Sequence, residues 1–244
     1  MSSEDQGDGV QVNRREELAR NLDLVHARIA AACRACGRSP DQVKLVVVTK
    51  TFPASDVALL AELGCTDVAE NKDQEARAKA AAVPEGTPLR WHMIGQLQRN
   101  KAKSVAAWAD VVESVDRPEL AQALAASASA QGRLLDVLIQ VCLDPTPVPG
   151  RGGVSPAQAE ELARVCRDLP GLRLAGVMGV APHLGDPVAA FALLASVRDR
   201  LAELDPGCRQ MSAGMSEDLE EAIGAGATQV RIGGAVLGNR AMLK

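Results

Sequence analysis

Short apolar, β-branched runs alternate with helical stretches eight times in succession, and this constrains the chain more than any other feature. The runs are LVVVT (45–49), TDVAE (66–70), RWHMIG (90–95), DVVESV (110–115), LLDVLIQVCL (134–143), LRLAGVMGV (172–180), CRQMSA (208–213) and TQVRIG (228–233). Continuous apolar character of this length, as in LVVVT, reads as a strand buried on both faces. Several intervening helices have recognisable ends. Ser155-Pro156-Ala157-Gln158 is a capping box with proline at the first helical position. Asp186-Pro187 opens a helix carrying Val188, Phe191, Leu194, Val197 and Leu201. Ser216-Glu217-Asp218 puts acids in a first turn, where the helix dipole favours them, and Gly224 and Gly226 supply that helix's stop. Ahead of the alternation, Leu18, Leu22, Val25, Ile29 and Cys33 recur at steps of three and four, which predicts one long amphipathic helix. Eight strand–helix units in roughly 200 residues predict an α/β fold, a single (β/α)8 TIM barrel preceded by an N-terminal helix; a doubly wound eight-stranded sheet is the alternative. No internal repeat or dividing linker interrupts the pattern. The polar opening MSSEDQGDGVQVN reads as a disordered tail over residues 1–13, which leaves one domain over 14–244.

Composition narrows the partners. Aromatic residues are only 2% against 47% hydrophobic, so the core must pack Leu, Val, Ile and Ala, and stacking platforms are scarce. With a net charge of -4 and no long basic cluster, neither nucleic acid nor an anionic membrane surface is an expected partner. Six cysteines are spread without a paired framework, which fits a reducing cytoplasm. The Cys33-x-x-Cys36 pair lies inside the predicted first helix with no second ligand pair at metal spacing, so no metal is expected. No basic-then-apolar leader and no bilayer-spanning run stands out.

A barrel carries its chemistry at the C-terminal ends of its strands. Strand one is expected to end in Lys50 and strand two in Glu70-Asn71. Strand seven ends at Ser212-Ala213-Gly214-Met215-Ser216 and strand eight at Arg231-Ile232-Gly233-Gly234. Loops after strands seven and eight recurrently bind phosphate in this architecture, and glycines there admit backbone N–H groups to an anion. A lysine amine attacks a carbonyl only when neutral, which calls for desolvation or nearby cations, and Arg231 faces Lys50 across the expected mouth. Together these residues suggest a phosphorylated aldehyde bound as an imine. Plainer readings stay open: a strand leaving the core at Lys50, a surface ion pair for Arg231, a helix cap for Asn71 and ordinary corner glycines. Of the three histidines, His26 reads as inert, His92 as a hydrogen-bonded core residue, and His183 as a residue near the mouth.

LVVVTK (45–50), AEN (69–71), WHMIGQLQRNK (91–101), ESVD (113–116), PHLGD (182–186), MSAGMSEDLEEAI (211–223) and GATQVRIGGAVLG (226–238) resemble the pyridoxal-phosphate homeostasis proteins, and the motifs occur in family order. These are single-domain barrels similar to the N-terminal half of alanine racemase. The resemblance implies that Lys50 carries pyridoxal 5'-phosphate as a Schiff base. It further implies that Ser212, Gly233 and Gly234 hold the phosphate with Gly214 and Met215 nearby, that Arg231 faces the pyridine nitrogen, and that Asn71 lies along the cofactor. It implies a role in buffering and delivering the cofactor to apo-enzymes without strong catalysis; a closed single barrel with no obvious exposed apolar stripe is expected to be a monomer. The chain departs from the family pattern at Lys72, where Tyr or Arg is frequent, at Ala213, where Met is usual, and at Gly234, where Thr or Ser is frequent. The last departure removes a hydroxyl from the phosphate cup. A racemase of this barrel type needs a tyrosine base from a second domain; this chain has no tyrosine, and eight strand–helix units leave no stretch for such a domain. A Schiff-base aldolase acting on a phosphorylated sugar is the enzyme alternative.

Overall fold

The computed structural model describes residues 5–238, apart from 85, 147 and 149. The chain folds as α1 (Asp5–Ala35), β1 (Lys44–Val48), α2 (Ala54–Glu62), β2 (Asp67–Glu70), α3 (Asp73–Ala82), β3 (Arg90–Met93), α4 (Ala102–Trp108), β4 (Val111–Val115) and α5 (Pro118–Ala130). It continues with β5 (Leu135–Gln140), α6 (Ala159–Asp168), β6 (Leu172–Met178), α7 (Pro187–Leu204), β7 (Gln210–Ser212), α8 (Leu219–Gly224), β8 (Gln229–Ile232) and α9 (Gly234–Leu237). All eight expected strands are present, each parallel to its sequence neighbours. β8 closes onto β1 through the pairs Lys44 with Gln229 and Val47 with Ile232. The doubly wound alternative is therefore excluded.

Successive strand residues point to opposite faces, so each strand supplies two cores. On β1, Val46 and Val48 pack with Ala69 and Ile94, while Val47 packs outward against Leu18, Leu22, Leu60 and Ile223. The outward layer is far larger, because it fills the space between the sheet and its ring of helices. Its driving force is burial of aliphatic surface, worth about 25 cal/mol per Å².

α1 lays its Leu18–Cys33 stripe over the β8–β1 closure, packed on Leu219, Ile223, Val236 and Leu237 of the last two helices. Polar bonds fix this seam: Asn21 Nδ2 donates to the Val236 carbonyl at 2.9 Å, and Arg38 Nη1 to the Ile223 carbonyl at 2.8 Å. The helix begins at Asp5, inside the stretch expected as a tail, since propagation adds one hydrogen bond per residue once a helix is nucleated. Residues 1–4 of the expected tail lie outside the described residues.

Three local expectations need correction. β1 stops at Val48 because Lys50-Thr51 form a turn, closed by the Phe52 N–H donating to the Thr49 carbonyl at 3.1 Å. Lys50 therefore sits beyond the strand rather than at its last position. Ser216-Glu217-Asp218 form a turn ahead of α8, not its first turn. The Asp218 carboxylate folds back to accept the Met215 N–H at 2.6 Å, and Glu220 and Glu221 supply the acids of the first turn. The expected box at Ser155-Pro156-Ala157-Gln158 is likewise a turn ahead of α6, which starts at Ala159, although the Ser155 hydroxyl donates to Gln158 Oε1 at 2.8 Å; the α7 end holds, with Asp186 accepting the Val188 N–H at 2.9 Å.

Candidate functional site

A cavity of about 570 Å³ opens at the C-terminal mouth between the ends of β1, β6, β7 and β8. It is lined on one side by Val48 and Lys50, on another by Val180 to His183, and on a third by Met215 to Asp218 with Arg231, Gly233 and Gly234. A volume of this order, apolar with a few convergent polar groups, suits a small ligand.

Lys50 is exposed on its turn, at the cavity rim. The burial expected to desolvate its amine is therefore not supplied by the protein alone. Met215, Gly233 and Gly234 line the same cavity. A Cβ built on Gly234 meets nothing within 4 Å, and one on Gly233 approaches the Val48 carbonyl at 3.3 Å, so the turn after β8 is open toward the cavity. The four-residue α9 starts at this turn, with the Val236 and Leu237 N–H groups already donating to the Gly233 carbonyl.

Arg231 forms the buried floor. Its backbone N–H donates to the Gly214 carbonyl at 2.9 Å, and Gly214 reaches that position at φ +91° with no room for a Cβ, which would lie 2.7 Å from the Ala222 Cβ. Arg231 Nη2 donates to the Gly179 carbonyl at 3.0 Å and Nη1 to the Ser212 hydroxyl. Ser212 in turn donates to Glu113 Oε2 at 2.6 Å. Glu113 Oε1 accepts from His92 Nδ1 at 2.7 Å and Gln229 Nε2 at 3.0 Å, and His92 Nε2 reaches Asp67 Oδ1 at 2.9 Å. A buried polar chain thus runs across the barrel interior from Asp67 to Arg231. His92 between two carboxylates donates from both ring nitrogens, which makes it an imidazolium.

The charges explain one another. Burial works to lower His92, yet its hydrogen bonds with Asp67 and Glu113 outweigh it and hold the imidazole above its ordinary range. Burial works to raise Glu113, yet His92 and Arg231 outweigh it and hold the carboxyl below its range. Asp67, against the same pull of burial, is held at about 2 by His92, Thr66 and Lys44. Burial pushes Arg231 down from its usual range, partly countered by Glu113. Its guanidinium remains the one buried cation on the cavity floor among the described residues.

Three expected site residues do not line the cavity: Gly214 lies behind it, packed on Ala222 and Leu219, and Ser212 and Asn71 stand elsewhere. The Ser212 hydroxyl is fully buried and committed to Glu113 and Arg231, so it supports Arg231 rather than lining the cavity. Asn71 lines a separate cleft with Lys72, Gln96, Lys101 and Arg117, across the mouth from Gly233 and Gly234. Its carbonyl packs so closely on Gly95 that a Cβ there would lie 2.1 Å away, which fixes the β2 and β3 ends against each other. Sequence reasoning missed Ser216, a cavity-lining residue two positions past Gly214, and Glu113, whose place in ESVD gave it only as part of a motif.

The chain matches the family described as alanine racemase, N-terminal domain, over residues 20–241. It is 40% identical over 246 residues to a pyridoxal phosphate homeostasis protein of Mycobacterium tuberculosis, covering 93% of this chain and 95% of that one. A crystal structure of an unknown protein from Bifidobacterium adolescentis superposes with a TM-score of 0.85 at 31% identity, covering 92% and 96% of the two chains. PipY of Synechococcus elongatus, solved with PLP bound, superposes with a TM-score of 0.77 at 28% identity, covering 91% of this chain and all of that one.

Proposed function

The chain belongs to the pyridoxal phosphate homeostasis protein family, and from that premise we propose that it holds pyridoxal 5'-phosphate at the barrel mouth and buffers it for delivery to apo-enzymes. The observation that carries this reading is the convergence of Lys50, Arg231, Gly233 and Gly234 on one cavity. The residues fit the cofactor by their own chemistry. A primary amine stands at the rim, a buried guanidinium on the floor, and a glycine turn on the wall. When bound, the cofactor would supply an aldehyde, and Lys50 Nζ is the amine that would hold it.

Gly233, Gly234 and the Ser216 hydroxyl receive the phosphate, with Met215 beside them. Arg231 faces the pyridine nitrogen, held there by Ser212, Gly179 and Gly214. A guanidinium in that place disfavours protonation of the ring, whereas enzymes that need a strong electron sink put a carboxylate there. The chain also lacks any tyrosine to act as a racemase base. The site therefore stores the cofactor in a chemically muted form, and a racemase or transaminase turnover at ordinary enzyme rates would contradict this.

A visible absorption spectrum tests the proposal. Mixed with pyridoxal 5'-phosphate and then freed of unbound cofactor, the protein stays yellow, and Lys50→Ala does not. A colourless protein that traps only a sugar phosphate under borohydride would instead be a Schiff-base aldolase.

A further inference from the structure

Three side chains behind the mouth have no part in the cavity: Glu70 at the end of β2, and Glu75 and Lys79 on α3. Glu70 is fully buried and Lys79 nearly so. Lys79 Nζ donates to Glu70 Oε1, to Glu75 Oε1 and to the Thr49 carbonyl, each at 2.7 Å. The Thr49 hydroxyl donates to Glu70 Oε1 at 2.6 Å, and the Thr51 N–H donates to Glu75 Oε1. Thr49 and Thr51 are the two neighbours of Lys50.

Thr51 also sits at φ 71°, alone among the described non-glycine residues in the left-handed region. A β-branched residue there is a genuine outlier that persists only where its surroundings over-determine it. The cluster is not what stability alone would select. A buried lysine with two carboxylates pays desolvation that an apolar trio avoids, and Glu70 Oε2 is buried without a hydrogen-bond partner.

We propose that Glu70, Glu75 and Lys79 form a clamp that fixes the backbone on both sides of Lys50 and so positions the exposed amine for covalent capture of the cofactor. This rests on the role of Lys50 proposed above. With residues 49 and 51 anchored, Nζ searches only through its own side-chain rotations, which raises its effective concentration at the aldehyde. The three residues position Lys50 and do not touch the cofactor.

The test uses the full chain with Lys79→Met and two measurements. One is the rate of covalent capture, read by borohydride trapping and mass spectrometry of the Lys50 peptide. The other is equilibrium binding of pyridoxine 5'-phosphate, whose alcohol cannot condense with an amine. Capture slows on the order of tenfold while pyridoxine 5'-phosphate binding stays within about twofold. Unchanged capture, or an equal loss in both measurements, overturns the clamp. Should circular dichroism show Lys79→Met unfolded, Thr49→Val decides, since it removes only the hydroxyl reaching Glu70. About threefold slower capture with intact pyridoxine 5'-phosphate binding supports the clamp, and unchanged capture overturns it. Trapping wild type alongside separates the two readings. A tag absent from Lys50 in wild type overturns the Lys50 assignment and the clamp together, whereas a tag on Lys50 with unaltered rates in the variants overturns the clamp alone.

Discussion

The two ends of the barrel spend their charges differently. At the N-terminal end, carboxylates are closed by cations. Asp136 takes Arg90 and Arg173, the latter through Nη2 at 2.7 Å, Asp110 takes Arg133 at 2.8 Å, and Asp67 takes Lys44 at 3.1 Å. At the C-terminal mouth, Lys50, Lys72 and Lys101 stand without an ion pair among the described residues, around two clefts. One end has satisfied its electrostatics within the chain, and the other keeps donors for something brought from outside. The buried series Asp67–His92–Glu113–Ser212–Arg231 joins them, anchored in the closed end and ending on the floor of the open one. Stability and function are thus separable at the two ends and inseparable along that series.

The sharpest way to break this contrast is at the mouth. Lys50→Ala abolishes covalent capture of pyridoxal 5'-phosphate while shifting unfolding stability by no more than about 0.5 kcal/mol, because the side chain is exposed. Urea denaturation beside reductive trapping checks both halves. Next comes the joining series, where both properties fall together. Glu113→Ala leaves Arg231 a buried cation without a carboxylate and His92 with Asp67 alone, costs about 3–5 kcal/mol in urea unfolding, and weakens pyridoxine 5'-phosphate binding. A variant that loses stability but binds as tightly as wild type would sever the proposed link between floor and mouth.

At the closed end, Asp136→Ala costs about 1–2 kcal/mol, since its two arginines are partly exposed and rehydrate, and it leaves capture untouched.

The pH profile sharpens the same contrast. Glu113 is held below its ordinary 4.5 and Asp67 at about 2 against 3.8, so their contribution is present above those ordinary values and lost as pH falls through the folded ones. His92 is held above 6.5, so its contribution is present below 6.5 and lost as pH rises through the folded value. Thermal stability therefore peaks between about 4.5 and 6.5, as calorimetry across pH would show; stability still climbing well above 6.5 would contradict a doubly donating imidazolium.

The smallest effect is a gain. Gly234→Ser adds a side chain into open space beside the phosphate site and tightens pyridoxine 5'-phosphate binding by about 1 kcal/mol or less, measurable by titration calorimetry.

Much of this was legible in the sequence for a local reason. Strand and helix periodicity is written in neighbouring residues, so the eight strands, the α1 stripe and the Asp186 cap follow from spacing alone. The placing of Lys50, Arg231, Gly233 and Gly234 at one mouth followed as well, because a barrel brings all its strand ends to one face. The misreadings share a cause. Lys50 leaves the strand in the turn closed on the Thr49 carbonyl, which also accepts from Lys79, 30 residues further along the chain. Ser212 turns from the cavity because its hydroxyl donates to Glu113, 99 residues earlier. Asn71 falls in the second cleft, its carbonyl set against Gly95 where the parallel neighbours β2 and β3 end.

The amino-acid order by itself determined the architecture, the family and which end of the barrel is chemical, since these follow from periodicity and motif order. Only the tertiary structure decided which hydroxyl faces the cavity, which charges are buried together and what holds the amine in place. Those choices depend on side chains far apart in the chain competing for the same donors and acceptors, and no local pattern records who wins.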